Sequence, residues 1–217
     1  MNNQDFKALA AQLRKPDGNS GIEVAKMMHT SNIGMIRHAI DNLSIQQSDK
    51  ILELGHGNGH HLSYLFSKND GLSYYGLEIS GLMHQQAHEF CQEQTYHPKT
   101  KFYLYDGKNM PLENDSFDKI FTVNTIYFWE QPAEVIQELF RVLRPEGLLC
   151  ITFAHKDFMQ QLPFVQYGFE LYNIEHLQAL ATEHSFIIKD IQTQTETVTS
   201  KNGEKVNRTF STVVLKK

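Results

Sequence analysis

Residues 51–61, "ILELGHGNGHH", constrain the fold more than any other stretch of the chain. A short apolar run carrying Glu53 leads into Gly55, Gly57 and Gly59, three glycines within five positions. Glycine loses more backbone freedom on folding than any other residue, so such a cluster marks main chain that takes unusual dihedrals or is closely approached by a ligand. An apolar run, a glycine turn and then a helical pattern form the strand–loop–helix opening of an α/β sheet, where ligands lie beyond the carboxyl ends of the strands.

Further along, the texture alternates as such a sheet requires. Apolar runs at 51–54, 73–79, 101–105 and 119–123 read as buried parallel strands. Between them, "SGLMHQQAHEFCQEQ" sets Leu82, Met83, Ala87, Phe90 and Cys91 on one helical face, with Ser80 as N-cap. "QPAEVIQELFRVLR" does the same with Val135, Ile136, Leu139, Phe140 and Leu143, and Pro132 stands near its start. Pro145 and Gly147 end that helix before the strand "GLLCITF". After a helix capped by Asn173, two β-patterned runs flank Asn202-Gly203, a hairpin signal that makes the last strand antiparallel. Residues 1–47 read as helices: Phe6, Leu9, Ala10 and Leu13 recur at helical spacing, Pro16-Asp17-Gly18 breaks the pattern, and two short segments follow near 22–29 and 33–43.

Composition narrows the partners. The chain has 217 residues, 41% hydrophobic and 21% charged, which suits one domain with a small appendage. A net charge of −5 with dispersed Lys and Arg argues against nucleic acid or an anionic membrane as partner. Cys91 and Cys150 have no metal-type spacing, and neither a signal-peptide core nor a membrane-length apolar run is present, so a cytoplasmic location is expected.

The glycine spacing separates two cofactor readings. A nicotinamide dinucleotide fingerprint, G-x-G-x-x-G, places its third glycine at position 60, which is His60; the pattern here is G-x-G-x-G. Glu78 ends the second strand 19 residues beyond Gly59, where a carboxylate accepts hydrogen bonds from an adenosine ribose. Asp106-Gly107 ends the third strand, "VNTIYFW" follows the fourth, and "RVLRPEGLLCITF" leads into the fifth.

With these five landmarks in order, residues 48–217 resemble the class I S-adenosylmethionine-dependent methyltransferases. The resemblance implies a Rossmann-like, doubly wound sheet of seven strands, mostly parallel with an antiparallel C-terminal hairpin strand. It implies S-adenosylmethionine as cofactor and S-adenosylhomocysteine as product. By resemblance Glu53, Gly55, Gly57 and Gly59 border the methionine end, and Glu78 holds the ribose. Met83 packs on adenine, Asp106 with Gly107 takes the adenine amino group, and Asn124 lies under the methionine end. A glycine is usual in the family where this chain has Glu146. Residues 1–47, whose "RKPDGNSG" resembles a stretch preceding the domain in some uncharacterised members, are read as a helical lid.

For the acceptor side, Tyr127 and Trp129 either wall the pocket or pack under the next helix, and His155 and Tyr167 join them as candidates. Phe153 and Phe164 add apolar wall. Methyl transfer needs alignment more than an obligatory base, so no catalytic residue is fixed, with Tyr127 and His56 as weak candidates. His56, His60 and His61 lack a carboxylate or thiolate at ligand spacing, so no metal is expected. The expected activity is methylation of a small molecule. The competing readings are a cofactor-binding protein without turnover and a nicotinamide-dependent oxidoreductase.

Overall fold

A computed structural model describes residues 2–199 and 205–217. Seven strands form one sheet: β1 (Lys50–Leu54), β2 (Ser73–Glu78), β3 (Thr100–Leu104), β4 (Phe117–Val123), β5 (Leu143–Ala154), β6 (Ile187–Thr199) and β7 (Lys205–Lys216). They lie side by side in the order β3-β2-β1-β4-β5-β7-β6. The first five are parallel, and β7 inserts antiparallel between β5 and β6. The order reverses between β1 and β4, so the crevice beyond Leu54 and Val123 is the topological switch point where ligands bind in such sheets. The Asn202-Gly203 turn lies outside the described residues; the antiparallel pairing it was expected to produce runs from Thr199 opposite Lys205 back to Ile187 opposite Lys216.

Both faces of the sheet are covered, which explains the near-continuous apolar runs of its strands. On one face α5 (Pro132–Val142) and α7 (Ile174–Glu183) pack Ile136, Leu139 and Leu177 onto Leu52, Ile120 and Ile151. On the other, α3 (Leu62–Phe66) and α4 (Gly81–Gln92) pack Leu65 and Ala87 onto Ile51, Tyr74 and Phe121. The N-caps expected at Ser80 and Asn173 are present, their side chains accepting from Met83 N and His176 N. The expected glycine position at Glu146 has φ +67°, the left-handed region that disfavours a side chain. Its backbone N–H donates to the Lys217 carbonyl and its carboxylate pairs with Lys216, so local contacts hold it there.

The N-terminal region departs from its expected shape. After α1 (Asn3–Arg14), residues 22–42 do not form two short helices but belong to one 25-residue helix, α2 (Gly18–Asn42), with Leu43 as its C-cap. Between the two expected segments, the Thr30 and Ser31 hydroxyls bond back along the helix, to the carbonyls of Lys26 and Met28, and so compete little with its ladder. The C-terminal half of α2 is part of the core: Met35, Ala39, Ile40 and the following Leu43 are at most 1% exposed. Only α1 and the first half of α2 project over the carboxyl ends of the strands, anchored where Ser80 Oγ donates to the Pro16 carbonyl at 2.6 Å.

This division predicts two different truncations. Removing residues 1–15 costs the burial of Leu9 and Ala10, about 2–3 kcal/mol, and leaves a cooperative thermal transition by circular dichroism. Removing residues 1–43 strips the cover from Ile51, Leu62 and Phe121 and abolishes that transition.

Candidate cofactor and active site

A cavity of about 1040 Å3 runs along the carboxyl edge of the sheet, floored by the strand tips and roofed by α1 and α2. At its floor the glycine loop leaves β1. Gly55, Gly57 and Gly59 all have positive φ, at +80°, +57° and +74°. Their roles differ. A Cβ on Gly55 would collide with the Thr125 methyl, and one on Gly59 would press on Ala87 of α4 at 3.3 Å, so these two serve close packing. A Cβ on Gly57 would meet nothing within 4 Å; it would occupy the cavity itself. Gly59 does not line the cavity.

Glu78 ends β2 at 6% exposure with both carboxylate oxygens engaged. Oε2 accepts the Gly57 N–H at 3.0 Å, and Oε1 accepts those of Ile79 and Ser80 at 2.8 and 2.9 Å. Burial pushes its carboxyl above the usual range, opposed by these three N–H groups. Glu53 is 2% exposed, and its Oε2 takes both the Tyr74 hydroxyl and His61 Nε2, the latter at 2.7 Å. Sharing one oxygen leaves Oε1 without a hydrogen bond among the described residues, on a side chain that borders the cavity.

Asp106, Gly107 and Met83 line the same cavity. The exposed Asp106 carboxylate accepts from the Lys108 and Asn109 N–H groups and from Asn109 Nδ2, each at 2.8 Å, which holds its acidity at about 2. Asn124 ends β4 at φ +58°, a strained position for any residue with a side chain, and Asn tolerates it better than most. Its Oδ1 accepts the Tyr127 hydroxyl at 3.1 Å.

Tyr127 and Trp129 are both packed and lining, at 3% and 7% exposure. The Tyr127 oxygen accepts the Ala154 N–H at 2.7 Å and lies 3.0 Å from the Ala154 carbonyl, and burial pushes its pKa above the ordinary phenol range. That hydroxyl is a wall fixed to β5 and is unsuited to act as a base. His56 is no better placed. Its Nδ1 bonds the Gly57 carbonyl at 2.7 Å, its ring packs on Phe102 at 4.8 Å, and Nε2 is sealed from solvent without a partner. Burial lowers its pKa to about 4, so the ring is neutral. The three loop histidines diverge: His61 turns to Glu53, and His60 packs against Phe90 and His29. Among the described residues no group of His, Cys, Asp or Glu could hold a metal ion.

His155, Tyr167 and Phe153 do not line the cavity. His155 Nε2 bonds Ser211 Oγ at 2.7 Å on the sheet, and Phe153 is wholly buried core. Phe164 does line it, with Phe158 of α6 (Lys156–Met159) and Leu162 beyond that helix. Sequence reasoning missed Arg208, a 7%-exposed cation bordering the cavity from β7. The signal was present: Arg208 shares the alternating phase of Phe210 and Thr212, where an inward residue is expected. Also missed was the mouth of the cavity, where Glu130 bridges Arg14 of α1, at 2.6 Å, and Lys108, at 3.4 Å. No sequence pattern connects those three residues.

Residues 52–151 match the family described as "Methyltransferase domain". The chain is 28% identical over 131 residues to phthiotriol/phenolphthiotriol dimycocerosates methyltransferase 1 of Mycobacterium ulcerans, covering 60% of this chain and 46% of that protein. It spans less than half the length of most curated relatives it matches. Among solved structures, it superposes with TM-score 0.75 and 16% identity on a chain of the complex between the Haloferax volcanii Trm112 methyltransferase activator and a methyltransferase, covering 96% of both. Haemonchus contortus phosphoethanolamine N-methyltransferase 2, solved with S-adenosyl-L-methionine, gives 0.65 at 18% identity, covering 87% of this chain and 52% of that one. Residues 52–151 thus carry a match to a methyltransferase domain, and the chain has the fold of solved S-adenosylmethionine-dependent methyltransferases. Among the described residues no helix is long and apolar enough to cross a membrane.

The buried neutral His56 makes stability pH-dependent. Its pKa is depressed in the fold, so the unfolded chain binds the extra proton first and stability falls as pH drops from about 6.5 through about 4. Between pH 7 and 5 this share is about 2 kcal/mol. In urea titrations at the two pH values, His56→Phe is expected to lose that much less than the unaltered chain.

Proposed function

We propose that this protein transfers a methyl group from S-adenosylmethionine to a small molecule. The observation that carries the reading is the convergence on one cavity of four segments far apart in sequence: the Gly57 loop, Glu78, the Asp106-Gly107 turn and Asn124. A fit test supports the cofactor. The space over Gly57 is the kind of cradle that a side chain would fill, and a carboxylate borders it at each of the first two strand tips. Glu78 would hold the ribose hydroxyls, Asp106 and Met83 the adenine, and Glu53 Oε1 the methionine ammonium. A relative solved with S-adenosyl-L-methionine on the same fold is consistent with this assignment.

When bound, S-adenosylmethionine would supply an electrophilic methyl carbon on a sulfonium, with sulfur as the leaving group that keeps the carbon–sulfur electron pair. The chain's part is alignment. Asn124, locked by Tyr127, and the rigid Tyr127–Trp129 wall fix the place where the nucleophile waits. Residues 1–47 contribute a lid, formed by α1 and the first half of α2, that excludes water. Neither Tyr127 nor His56 moves a proton in this reading. The acceptor is taken as small because the cavity is roofed by only two helices, and the protein is expected in the cytoplasm.

Gly57→Val forces a β-branched residue into positive φ and fills the cradle, and is expected to weaken cofactor binding at least 100-fold by calorimetric titration. Glu78→Ala removes a charged acceptor worth about 1.5–3 kcal/mol to the ligand. It also frees three backbone N–H groups, so a lowered melting temperature accompanies the weaker binding. Transfer of label from tritiated S-adenosylmethionine to the small-molecule fraction of a cell extract tests turnover. Binding without any transfer would instead make the chain a non-catalytic binder.

A further inference from the structure

The cavity is larger than one ligand needs, and the strand order divides it. Its volume of about 1040 Å3 stands at the top of the range of about 300–1,000 Å3 usual for small-molecule sites. The β3-β2-β1 side carries the loop, Glu78 and Asp106. The other side lies beyond β5, β7 and β6, and at about 4.8 Å per strand the span from β4 to β6 is about 14 Å. That half is walled by Met28 of α2, by Phe158, Leu162 and Phe164 after β5, and by Val198 and Val206 of the β6–β7 hairpin. The charged group set among them is Arg208.

Arg208 is already matched in charge. Its Nε and Nη2 donate to Glu196 Oε1 at 3.1 and 2.6 Å, Nη2 also to the Ser31 carbonyl at 2.5 Å, and Nη1 to Asn32 Oδ1 at 3.0 Å. Four of five N–H groups are used, and the second N–H of Nη1 has no partner among the described residues. Glu196 already neutralises the guanidinium, so an anion gains little charge attraction there, and a cation meets the guanidinium. Either would also lose its water in an apolar compartment. A neutral oxygen accepts the remaining N–H at neither cost.

We propose that the second half of this cavity takes a neutral, lipophilic molecule with one oxygen acceptor, its chain between Met28 and the 158–164 segment and its oxygen on Arg208. The identity of this molecule as the methyl acceptor rests on the methyltransferase reading; the site's preference for its chemistry does not. The molecule class is therefore a ketone, alcohol, phenol or ester with an extended apolar body, as opposed to an amino acid, a phosphate ester or an alkylamine.

Trp129 is the chain's single tryptophan and borders the cavity, so its emission reports occupancy directly. The full chain is titrated, with and without S-adenosylhomocysteine, with 2-hexanone, 2-octanone, 2-decanone, octanoate and octylamine. The expected result is saturable ketone binding that tightens about fourfold per methylene, with octanoate and octylamine at least tenfold weaker than 2-octanone. Leu162→Glu should weaken 2-decanone at least tenfold with calorimetric S-adenosylhomocysteine affinity unchanged. Arg208→Lys, which keeps the charge and loses the fork, should weaken 2-octanone about tenfold. Absence of ketone binding, no chain-length dependence, or octanoate binding as tightly as 2-octanone would overturn the proposal. These series need no variant, so a substitution that fails to fold leaves the test intact. Ketone binding in a chain that shows no heat with S-adenosylhomocysteine supports this inference and overturns the cofactor reading instead.

Discussion

The site depends on one buried carboxylate. Glu78 accepts main-chain N–H groups from two directions, Gly57 on the loop after β1 and Ile79 and Ser80 at the start of the loop after β2. Burying a carboxylate is costly unless its oxygens are hydrogen-bonded, and here backbone donors take three of its roughly four acceptor positions. The same bonds tie the glycine loop to the neighbouring strand tip. Ser80, held by Glu78 through its N–H, in turn caps α4 and bonds the Pro16 carbonyl, so the N-terminal roof is fastened to the same point. Loop, helix and roof are positioned together.

A second tie closes the opposite end. Arg208 and Glu196 lie on paired positions of β7 and β6, and the guanidinium reaches Ser31 and Asn32 in the middle of α2. A buried ion pair is weak evidence for stability, because desolvation offsets much of the attraction. Its consequence here is geometric: it sets the height of α2 above the hairpin and hence the depth of the apolar half of the cavity. The C-terminal half of α2 cannot move with a lid, because Met35, Ala39 and Ile40 are in the core. Any opening therefore belongs to α1 and the Arg14–Glu130–Lys108 contacts at its mouth, which are exposed and individually weak.

Acid–base chemistry does not lie where residue type alone would place it. Tyr127 and His56 are the groups that residue type alone nominates as bases. Both are instead spent on architecture, one bonded to β5 and the other packed under the glycine loop. Residue type nominates chemistry, but the environment of the nominated atom decides whether it is available.

Local patterns alone determined the parallel sheet, its antiparallel closing strand, the caps at Ser80 and Asn173, and the strand tips bearing Glu53, Glu78, Asp106 and Asn124. Each rests on residues close in sequence: periodicity, a glycine run, a turn pair or a capping side chain. Tertiary structure alone decided what α2 is, since two short helices near 22–29 and 33–43 and one continuous helix share the same residues until the sheet and Arg208 select one. It separated Gly57, which faces the cavity, from Gly59, which packs on α4. It excluded His155 and Tyr167 from the cavity and brought in Arg208, with Asn32 176 residues away in sequence. Such pairings are set by which strand lies beside which and by the height of the roof above them, and no pattern within one segment encodes either.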